Sequence, residues 1–216
     1  MYRNTDGIEF LRSLPDKSVD GIFTDPPWGK GPDIVGQDIW KELLQELDKE
    51  GGRVLRPGGR VLVWVGMRMF ADTVKQFTNL DYRWAVFCNY IPPRYIAGFE
   101  SILDPIILFM RPGDKYPMRK EGKLRQIYEK VSNGQKDTSH PCARPFITVK
   151  QILRDWFDEQ EYVIDPFAGS DTTGVACRLL NLKYDTCEID PKMFMFGKDR
   201  NDQYLPLTFS PREEGR

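Results

Sequence analysis

The sequence has little histidine and cysteine, and this scarcity limits the chemistry that it can perform. Its 216 residues contain one histidine, His140, and four cysteines that form no CxxC pair. Because a zinc cluster needs several such ligands at short spacing, we expect no metal site. A serine or cysteine hydrolase would need His140 beside its nucleophile, so hydrolase chemistry is a weak interpretation. The cysteines are interpreted as reduced and structural.

Long apolar segments and a strong net charge are also lacking. No apolar run reaches the roughly 18 residues of a membrane span, and the first residues do not resemble a signal peptide. These absences predict a cytoplasmic protein without a membrane partner. The formal net charge of -1 provides no overall attraction to nucleic acid. The chain length suits one ordinary domain, and we predict a single domain over residues 1–216.

Basic residues are concentrated between Arg111 and Lys136. This segment holds eight basic residues against three acidic ones, enough to neutralise several phosphates of a nucleic acid. A solvated linker without a partner would have the same composition. Weak periodicity and several glycines and prolines predict an insertion or loop at about 111–139, and not a core element.

Apolar strands alternate with amphipathic helices along the rest of the chain. Strands are predicted at 19–24, 61–65, 162–164 and 184–187, and helices at 40–47, 69–77, 149–156, 174–180 and from Pro191 onward. Two further strands, at 83–89 and 102–110, are predicted to pair as an antiparallel hairpin, with Pro92, Pro93, Tyr95 and Phe99 in the loop between them. Strands separated by helices imply an α/β fold whose mostly parallel sheet is covered on both faces.

A loop of small residues follows the strand at 162–164 and opens the next helix. It reads Asp165-Pro166-Phe167-Ala168-Gly169-Ser170-Asp171-Thr172-Thr173-Gly174. Small residues here let backbone amides approach a ligand at the positive end of a helix. Glu188 ends the following strand, where a carboxylate can accept hydrogen bonds from both hydroxyls of a ribose. The pair indicates a nucleoside-containing cofactor, although a tight turn and an exposed loop acid would give the same residues.

A second motif, Asp25-Pro26-Pro27-Trp28, stops the strand at 19–24. An exocyclic amine on an aromatic base is a poor nucleophile because its lone pair is delocalised into the ring. A carboxylate and a backbone carbonyl can hold its two hydrogens and direct the lone pair at an electrophile, roles that suit Asp25 and the Pro26 carbonyl. The prolines would fix that carbonyl, and Trp28 offers a face for base stacking. The structural alternative is an ordinary strand stop followed by a core tryptophan.

Together these motifs resemble the permuted, beta-type DNA amino-methyltransferases, in which the catalytic tetrapeptide precedes the cofactor loop. Three further blocks match that family: Leu14-Pro15-Asp16-Lys17-Ser18-Val19-Asp20, Leu55-Arg56-Pro57-Gly58-Gly59 and His140-Pro141-Cys142-Ala143-Arg144-Pro145. The resemblance covers nearly the whole chain. It implies a Rossmann-like fold with a circularly permuted motif order, S-adenosylmethionine as cofactor, DNA as substrate, and a prokaryotic or phage origin.

The resemblance also assigns roles to particular residues. Catalysis around the extruded base falls to Asp25, Pro26, Pro27 and Trp28. The expected cofactor contacts are Arg144, Phe146, Asp165, Phe167, Gly169, Ser170, Thr172 and Glu188. Local charge and the aromatic hairpin loop, and not the resemblance, add further DNA-contact candidates to Asp6 of the amino-terminal block: Tyr95, Lys115, Arg119, Lys120, Lys123 and Arg125. Methyl transfer from a sulfonium is a single in-line displacement, so no metal or covalent nucleophile is implied.

Two places depart from the family pattern. Asp171 stands where the family loop commonly has a second glycine. Aspartate can adopt left-handed backbone angles, but its carboxylate is expected near the cofactor, where it would reduce affinity or alter geometry. Asn4-Thr5-Asp6 stands where many members have a Gly-Asp pair, and Asp6 is expected to face the base.

The first residue of the tetrapeptide favours one target base. Aspartate there is typical of the adenine-N6 members of the family, so the predicted reaction is methyl transfer to N6 of adenine in DNA. Cytosine-N4 methylation, RNA adenine methylation and a catalytically silent cofactor-binding subunit are the alternatives. The recognition region is small, which predicts a short or loosely read target site. A homodimer and a restriction-endonuclease partner are left open by the sequence.

Overall fold

The computed structural model describes residues 1–27, 36–96, 98–115, 124–129 and 144–203, with only the backbone described at 37, 90–96, 99–101 and 203. Its helices and strands are, in chain order, β1 (Tyr2–Asn4), α1 (Gly7–Ser13), β2 (Val19–Thr24), α2 (Gln37–Val54), β3 (Leu55–Trp64), α3 (Phe70–Gln76), β4 (Asp81–Ile96), β5 (Phe99–Met110), β6 (Ile127–Glu129), α4 (Phe146–Trp156), β7 (Tyr162–Asp165), α5 (Thr172–Leu179), β8 (Lys183–Glu188) and α6 (Pro191–Gln203). None of these described helices is long and apolar enough to cross a membrane.

The strands form one sheet in the order β1-β8-β7-β2-β3-β5-β4-β6. The first five strands in this order are parallel to one another. β5 is antiparallel to both β3 and β4, and β6 pairs in parallel with β4. The prediction of a mostly parallel sheet with an antiparallel hairpin is therefore confirmed. Since parallel strands end at the same edge, the segments after β2, β7 and β8 meet there, where α/β proteins bind their ligands.

Helices cover both faces of the sheet, so the molecule has two hydrophobic cores. Alternate residues of β3 divide between them: Val61 and Val63 face the core formed with α1 and α2, whereas Leu62 and Trp64 face the core formed with α4 and α5. All four side chains are buried. Burial on both sides explains why β3 reads as a continuous apolar run and not as an alternating one.

The strongest sequence patterns correspond to elements of the structure. β2 spans the predicted residues 19–24 without change. The residues that predicted an amphipathic helix in the second half of the chain, Val149, Ile152, Leu153 and Trp156, are all buried along α4. Cys88, Cys177 and Cys187 are buried thiols, as expected of structural cysteines, and Cys142 lies outside the described residues.

The hairpin is longer than the sequence predicts. β4 continues to Ile96 and β5 begins at Phe99, so Tyr95 pairs with Glu100 inside the hairpin and does not lie in a loop. The prolines Pro92 and Pro93 fall where the register shifts, between Asn89 and Arg94. β4 absorbs them as extra residues in an irregularity, so they do not end the strand.

Part of the basic segment belongs to the sheet. Ile127–Glu129 forms the edge strand β6, and Tyr128 is only 1% exposed within the second core. The expectation that 111–139 contributes no core element is therefore wrong for this stretch. A strand of three residues is too short to show a periodic pattern, and the same reason explains why the sequence did not predict β1.

Candidate active site

A cavity of about 610 Å³ opens at the edge where β2, β7 and β8 end. This volume lies in the range of small-molecule binding sites. It brings together nine residues that the sequence assigned to catalysis or the cofactor: Asp25, Pro27, Arg144, Asp165, Phe167, Gly169, Ser170, Thr172 and Glu188. Asp6, a candidate DNA contact, lines it as well. Two motifs that lie about 140 residues apart in the chain therefore share one site.

The loop after β7 is fixed by the carboxylate of Asp165. This buried side chain accepts hydrogen bonds from the hydroxyl of Thr24 at 2.7 Å, the hydroxyl of Thr173 at 2.6 Å and the backbone N–H of Phe167 at 3.0 Å. Burial nevertheless outweighs these bonds and raises the pKa of Asp165 to about 7. Asp165 thus ties β2, its own loop and the first turn of α5 together beneath the cavity.

Glu188 lies across the same loop. Its Oε2 accepts from the Gly169 N–H at 3.0 Å, and its Oε1 accepts from the Asp190 N–H at 2.8 Å. A carboxylate has about four acceptor positions, so these bonds set its orientation and leave capacity for a ligand. Gly169 has a φ of 53°, and its carbonyl accepts from the hydroxyl of Tyr2 at 2.5 Å.

The amino end of α1 packs directly against the loop. Asp6 caps this helix by accepting from the N–H groups of Ile8 and Glu9, both at 2.9 Å. A Cβ on Gly7 would lie 2.2 Å from the carbonyl oxygen of Pro166, so only glycine fits there. The sequence analysis did not predict α1, although Asp6 followed three residues later by Glu9 is a helix-start signature.

Asp171 does not face the cavity, contrary to the sequence expectation. It adopts a left-handed conformation, with φ 56° and ψ 36°, as the N-cap of α5. Its fully buried carboxylate accepts from the Gly174 N–H at 3.2 Å, from the Thr186 hydroxyl at 2.7 Å and from the side-chain amide of Asn201. Burial raises the pKa of this carboxyl group. The residue adopts the left-handed conformation that a glycine would allow, and its side chain stabilises this strained turn by hydrogen bonds to β8 and α6.

α6 also holds the two hydroxyl residues of the loop, a contact that the sequence did not reveal. Nη1 of Arg200 donates to the hydroxyl of Ser170 at 3.1 Å and to that of Thr172 at 2.9 Å. Ser170 and Thr172 both line the cavity. The last described helix therefore supports the wall that the sequence assigned to the cofactor.

The tetrapeptide presents a paired carboxylate to the cavity. Asp25 Oδ2 accepts from Nε of Arg144 at 2.6 Å, and Asp25 Oδ1 accepts from Nη2 of Arg144 at 2.8 Å. Pro26 is buried beside them, and Pro27 lines the cavity. Arg144, which the sequence assigned to the cofactor, thus lies within the cavity but bonds to the predicted catalytic aspartate.

Several predicted residues lie away from the cavity. Phe146 packs against the second core and does not line the cavity, whereas Val149, one turn further along α4, does. Lys115 is exposed, and Arg125 forms an ion pair with Asp155 at 3.3 Å. For Tyr95 only the backbone is described. Trp28, Arg119, Lys120, Lys123 and His140 lie outside the described residues.

Comparison with known proteins decides the family. The family model N6_N4_Mtase, described as DNA methylase, matches residues 19–199. The chain belongs to this family. The DNA adenine methyltransferase YhdJ of Escherichia coli K12 is 24% identical to it over 91% of this chain and 81% of its own length.

Solved structures show the fold of this DNA methylase in related proteins. The complex of M1.HpyAVI with SAM has a TM-score of 0.74 at 20% identity and covers 94% of this chain and 98% of its own. The cytosine-N4-specific PvuII DNA methyltransferase also has a TM-score of 0.74, at 16% identity, and covers 97% and 87%. The predicted amino-methyltransferase family and the Rossmann-like α/β fold are confirmed. The circular permutation stays a prediction, and the family includes enzymes for both bases.

Proposed function

We propose that this DNA methylase transfers a methyl group from S-adenosylmethionine to N6 of adenine. The observation that carries the proposal is the single cavity that holds both Asp25 and the loop with Glu188. A methyl group moves by in-line displacement, so the donor and the target amine must occupy adjacent parts of one site. The two motifs provide those parts at the edge where β2, β7 and β8 end.

The charge of the cavity suits the proposed methyl donor. Besides the buried Asp165, its described lining includes four acidic side chains, those of Asp6, Asp25, Glu188 and Asp190, and one basic side chain, Arg144. S-adenosylmethionine carries a sulfonium, an ammonium group and a ribose diol, all of which favour carboxylate partners. Glu188 would accept from the ribose hydroxyls, and the loop from Asp165 to Ser170 would hold the methionine part. When bound, the cofactor supplies an electrophilic methyl group.

The tetrapeptide would hold the target base. The Asp25 carboxylate and the Pro26 carbonyl would accept the two hydrogens of the amino group, which directs the nitrogen lone pair towards the cofactor side of the cavity. Trp28 would stack on the base after its extrusion from the duplex, offsetting an unstacking cost of a few kcal/mol. Pro27, the residue before Trp28 in the sequence, lines the cavity.

Adenine is proposed as the target for two reasons. The first is the aspartate at the first tetrapeptide position, which the sequence analysis associates with adenine-N6 members. The second is the similarity to YhdJ, which is named a DNA adenine methyltransferase. The PvuII enzyme, named as cytosine-N4-specific, has the same fold and makes cytosine the second candidate.

Target recognition is proposed to reside in the insertion at about 111–139 of an otherwise single methyltransferase domain. Its basic residues, including the exposed Lys115 and Arg125, would contact phosphates, and Tyr95 and Asp6 would contact the target strand. Such a small region would read a short or relaxed site. This proposal requires neither a homodimer nor a restriction endonuclease as partner.

The test is transfer of labelled methyl from S-adenosylmethionine to unmethylated duplex DNA, with the product nucleoside identified by mass spectrometry. We expect N6-methyladenine from the wild type and none from Asp25→Ala. The matched control is Asp72→Ala, which removes a half-exposed carboxylate on α3 that forms an ion pair with Lys75 at 3.5 Å and does not line the cavity. This control should retain wild-type activity.

Other products would change the proposal in defined ways. N4-methylcytosine would keep the site and replace the base. Methylated adenine in RNA, with none in DNA, would replace the substrate. Binding of S-adenosylmethionine without any product would indicate a silent cofactor-binding subunit.

A further inference from the structure

Three neighbouring strands place a row of side chains at one end of the sheet. β2, β3 and β5 are adjacent, and Asp25 follows β2 while Trp64 ends β3. β5 runs in the opposite direction and pairs Ile106 with Trp64, so Asp104 lies just beyond the end of β3. Asp25 and Asp104 therefore flank Trp64 at the same edge.

Arg144 spans this row. It stands immediately before Pro145, the N-cap of α4, and its side chain crosses the end of β3. The guanidinium carbon lies 4.8 Å from the centre of the Trp64 ring, a cation–π distance. Nη1 lies 3.7 Å from Oδ2 of Asp104, which is 2% exposed, while Nε and Nη2 make the two short bonds to Asp25. The guanidinium thus contacts three residues: Asp25 after β2, Trp64 at the end of β3 and Asp104 in β5.

We propose that Arg144 is a positioning residue for Asp25, a role that rests on the proposed function because the target amine is what Asp25 would bind. A carboxylate on a single bond can rotate, and rotation would misdirect its acceptor lone pairs. A two-pronged guanidinium contact uses one lone-pair position on each oxygen and fixes the plane of the carboxylate. The fixed carboxylate then presents its remaining acceptor capacity to an amino hydrogen in a defined direction.

The contacts of Arg144 favour this role over the cofactor contact that the sequence implied. Its positive charge is matched by Asp25 and by the buried Asp104. Its side chain is 18% exposed and stacks on Trp64, which is fully buried. The two parallel donors of a guanidinium fix the orientation of a planar carboxylate such as that of Asp25, whereas a lysine at this position would supply charge without fixing that orientation.

The test compares Arg144→Lys and Arg144→Gln with the wild type in two measurements. One is the dissociation constant of S-adenosylmethionine by calorimetry, and the other is the single-turnover rate of methyl transfer to duplex DNA at saturating cofactor. We expect Arg144→Lys to lower the rate about 100-fold, since a small misplacement of a reacting group has this cost. The cofactor dissociation constant should stay at the wild-type value. If Arg144→Gln does not fold, Arg144→Lys carries the test.

The matched control is Arg154→Gln on the same helix. Arg154 is 54% exposed, contacts Asp155 and does not line the cavity, so neither measurement should change. A weakened cofactor affinity with an unchanged rate at saturation would identify Arg144 as a cofactor contact and overturn the proposal. A rate for Arg144→Lys equal to that of the control would overturn it as well.

A second measurement does not depend on turnover. In NMR spectra of the full chain, the Nε–H of Arg144, assigned by its loss in Arg144→Lys, should shift and exchange faster with water in Asp25→Asn. An unchanged signal would show that the pair does not form in solution, which would refute the positioning role. If the wild type methylates no nucleic acid, the proposed function fails, while this signal still reports on the pair itself.

Discussion

Replacement of Asp171 separates the two tasks that this residue performs at the start of α5. It adopts a left-handed backbone conformation with φ 56°, and its buried carboxylate accepts three hydrogen bonds. Asp171→Gly removes the acceptor, but glycine adopts the left-handed backbone conformation without strain. Asp171→Ala also removes the acceptor, and its Cβ is sterically strained in the left-handed conformation. The pair of variants therefore distinguishes the hydrogen bonds from the backbone strain.

The expected loss in the free energy of unfolding follows from the three hydrogen-bond donors that lose their acceptor. Loss of the N-cap bond to Gly174 costs about 0.5–2 kcal/mol. The hydroxyl of Thr186 and the amide of Asn201 would each destabilise the fold by about 1–3 kcal/mol if they stayed buried without an acceptor. Part of this loss is offset because burial disfavours the carboxylate, as its raised pKa shows. We expect Asp171→Gly to lower the free energy of unfolding by about 2–4 kcal/mol, and Asp171→Ala by about 1 kcal/mol more.

The assay is urea unfolding followed by circular dichroism, with cofactor affinity measured separately by calorimetry. Asp171→Asn is the control, since it keeps the shape and one acceptor oxygen and should lose little stability. Because Asp171 does not line the cavity, this control should bind S-adenosylmethionine as the wild type does. Altered cofactor affinity in Asp171→Asn without any change in stability would refute the reasoning, because it would place the carboxylate at the cofactor.

Three further predictions concern the walls of the cavity. Gly7→Ala places a Cβ 2.2 Å from the Pro166 carbonyl oxygen and should lower the free energy of unfolding in urea by about 1–3 kcal/mol; an unchanged midpoint would contradict the close approach. Glu188→Gln should weaken S-adenosylmethionine binding about 10- to 100-fold by calorimetry, and wild-type affinity would exclude the ribose contact. Burial raises the pKa of Asp165 to about 7, so the folded state keeps a proton that the unfolded state releases near pH 4. The stability that this proton contributes is fully present below about pH 4 and is lost as the pH rises to about 7. The free energy of unfolding should fall over this range by at most about 1.4 kcal/mol per pH unit. In Asp165→Asn, urea unfolding at several pH values should show a smaller fall over the same range.

Local patterns were sufficient to predict much of the fold. The apolar run of β2 and the buried stripe of α4 are encoded in consecutive or periodically spaced residues. The order of strands and helices predicted a mostly parallel sheet, and that sheet places Asp25 and Asp165 at the same edge. The shared cavity therefore follows from local patterns together with one topological rule.

Contacts between distant residues could not be predicted in the same way. The bonds between Arg144 and Asp25 join residues 119 positions apart, and no spacing rule connects an arginine before a helix to an aspartate after a strand. The direction of the Asp171 side chain depends on Thr186 and Asn201, which lie in other elements. The sequence shows the chemical types of these groups, whereas packing decides which of them meet.

The position of β2 in the sheet has a consequence for synthesis of the protein. β2 lies between β3 and β7, and the hydrogen bond from Thr24 to Asp165 joins residues 141 positions apart. At typical elongation rates, the ribosome needs on the order of 10 s to make that intervening chain. During this interval one edge of β2 has no partner, and an unpaired apolar strand can associate with other chains. Slow translation between β3 and β7 should therefore increase aggregation and dependence on chaperones, even though the sequence of the finished protein is unchanged.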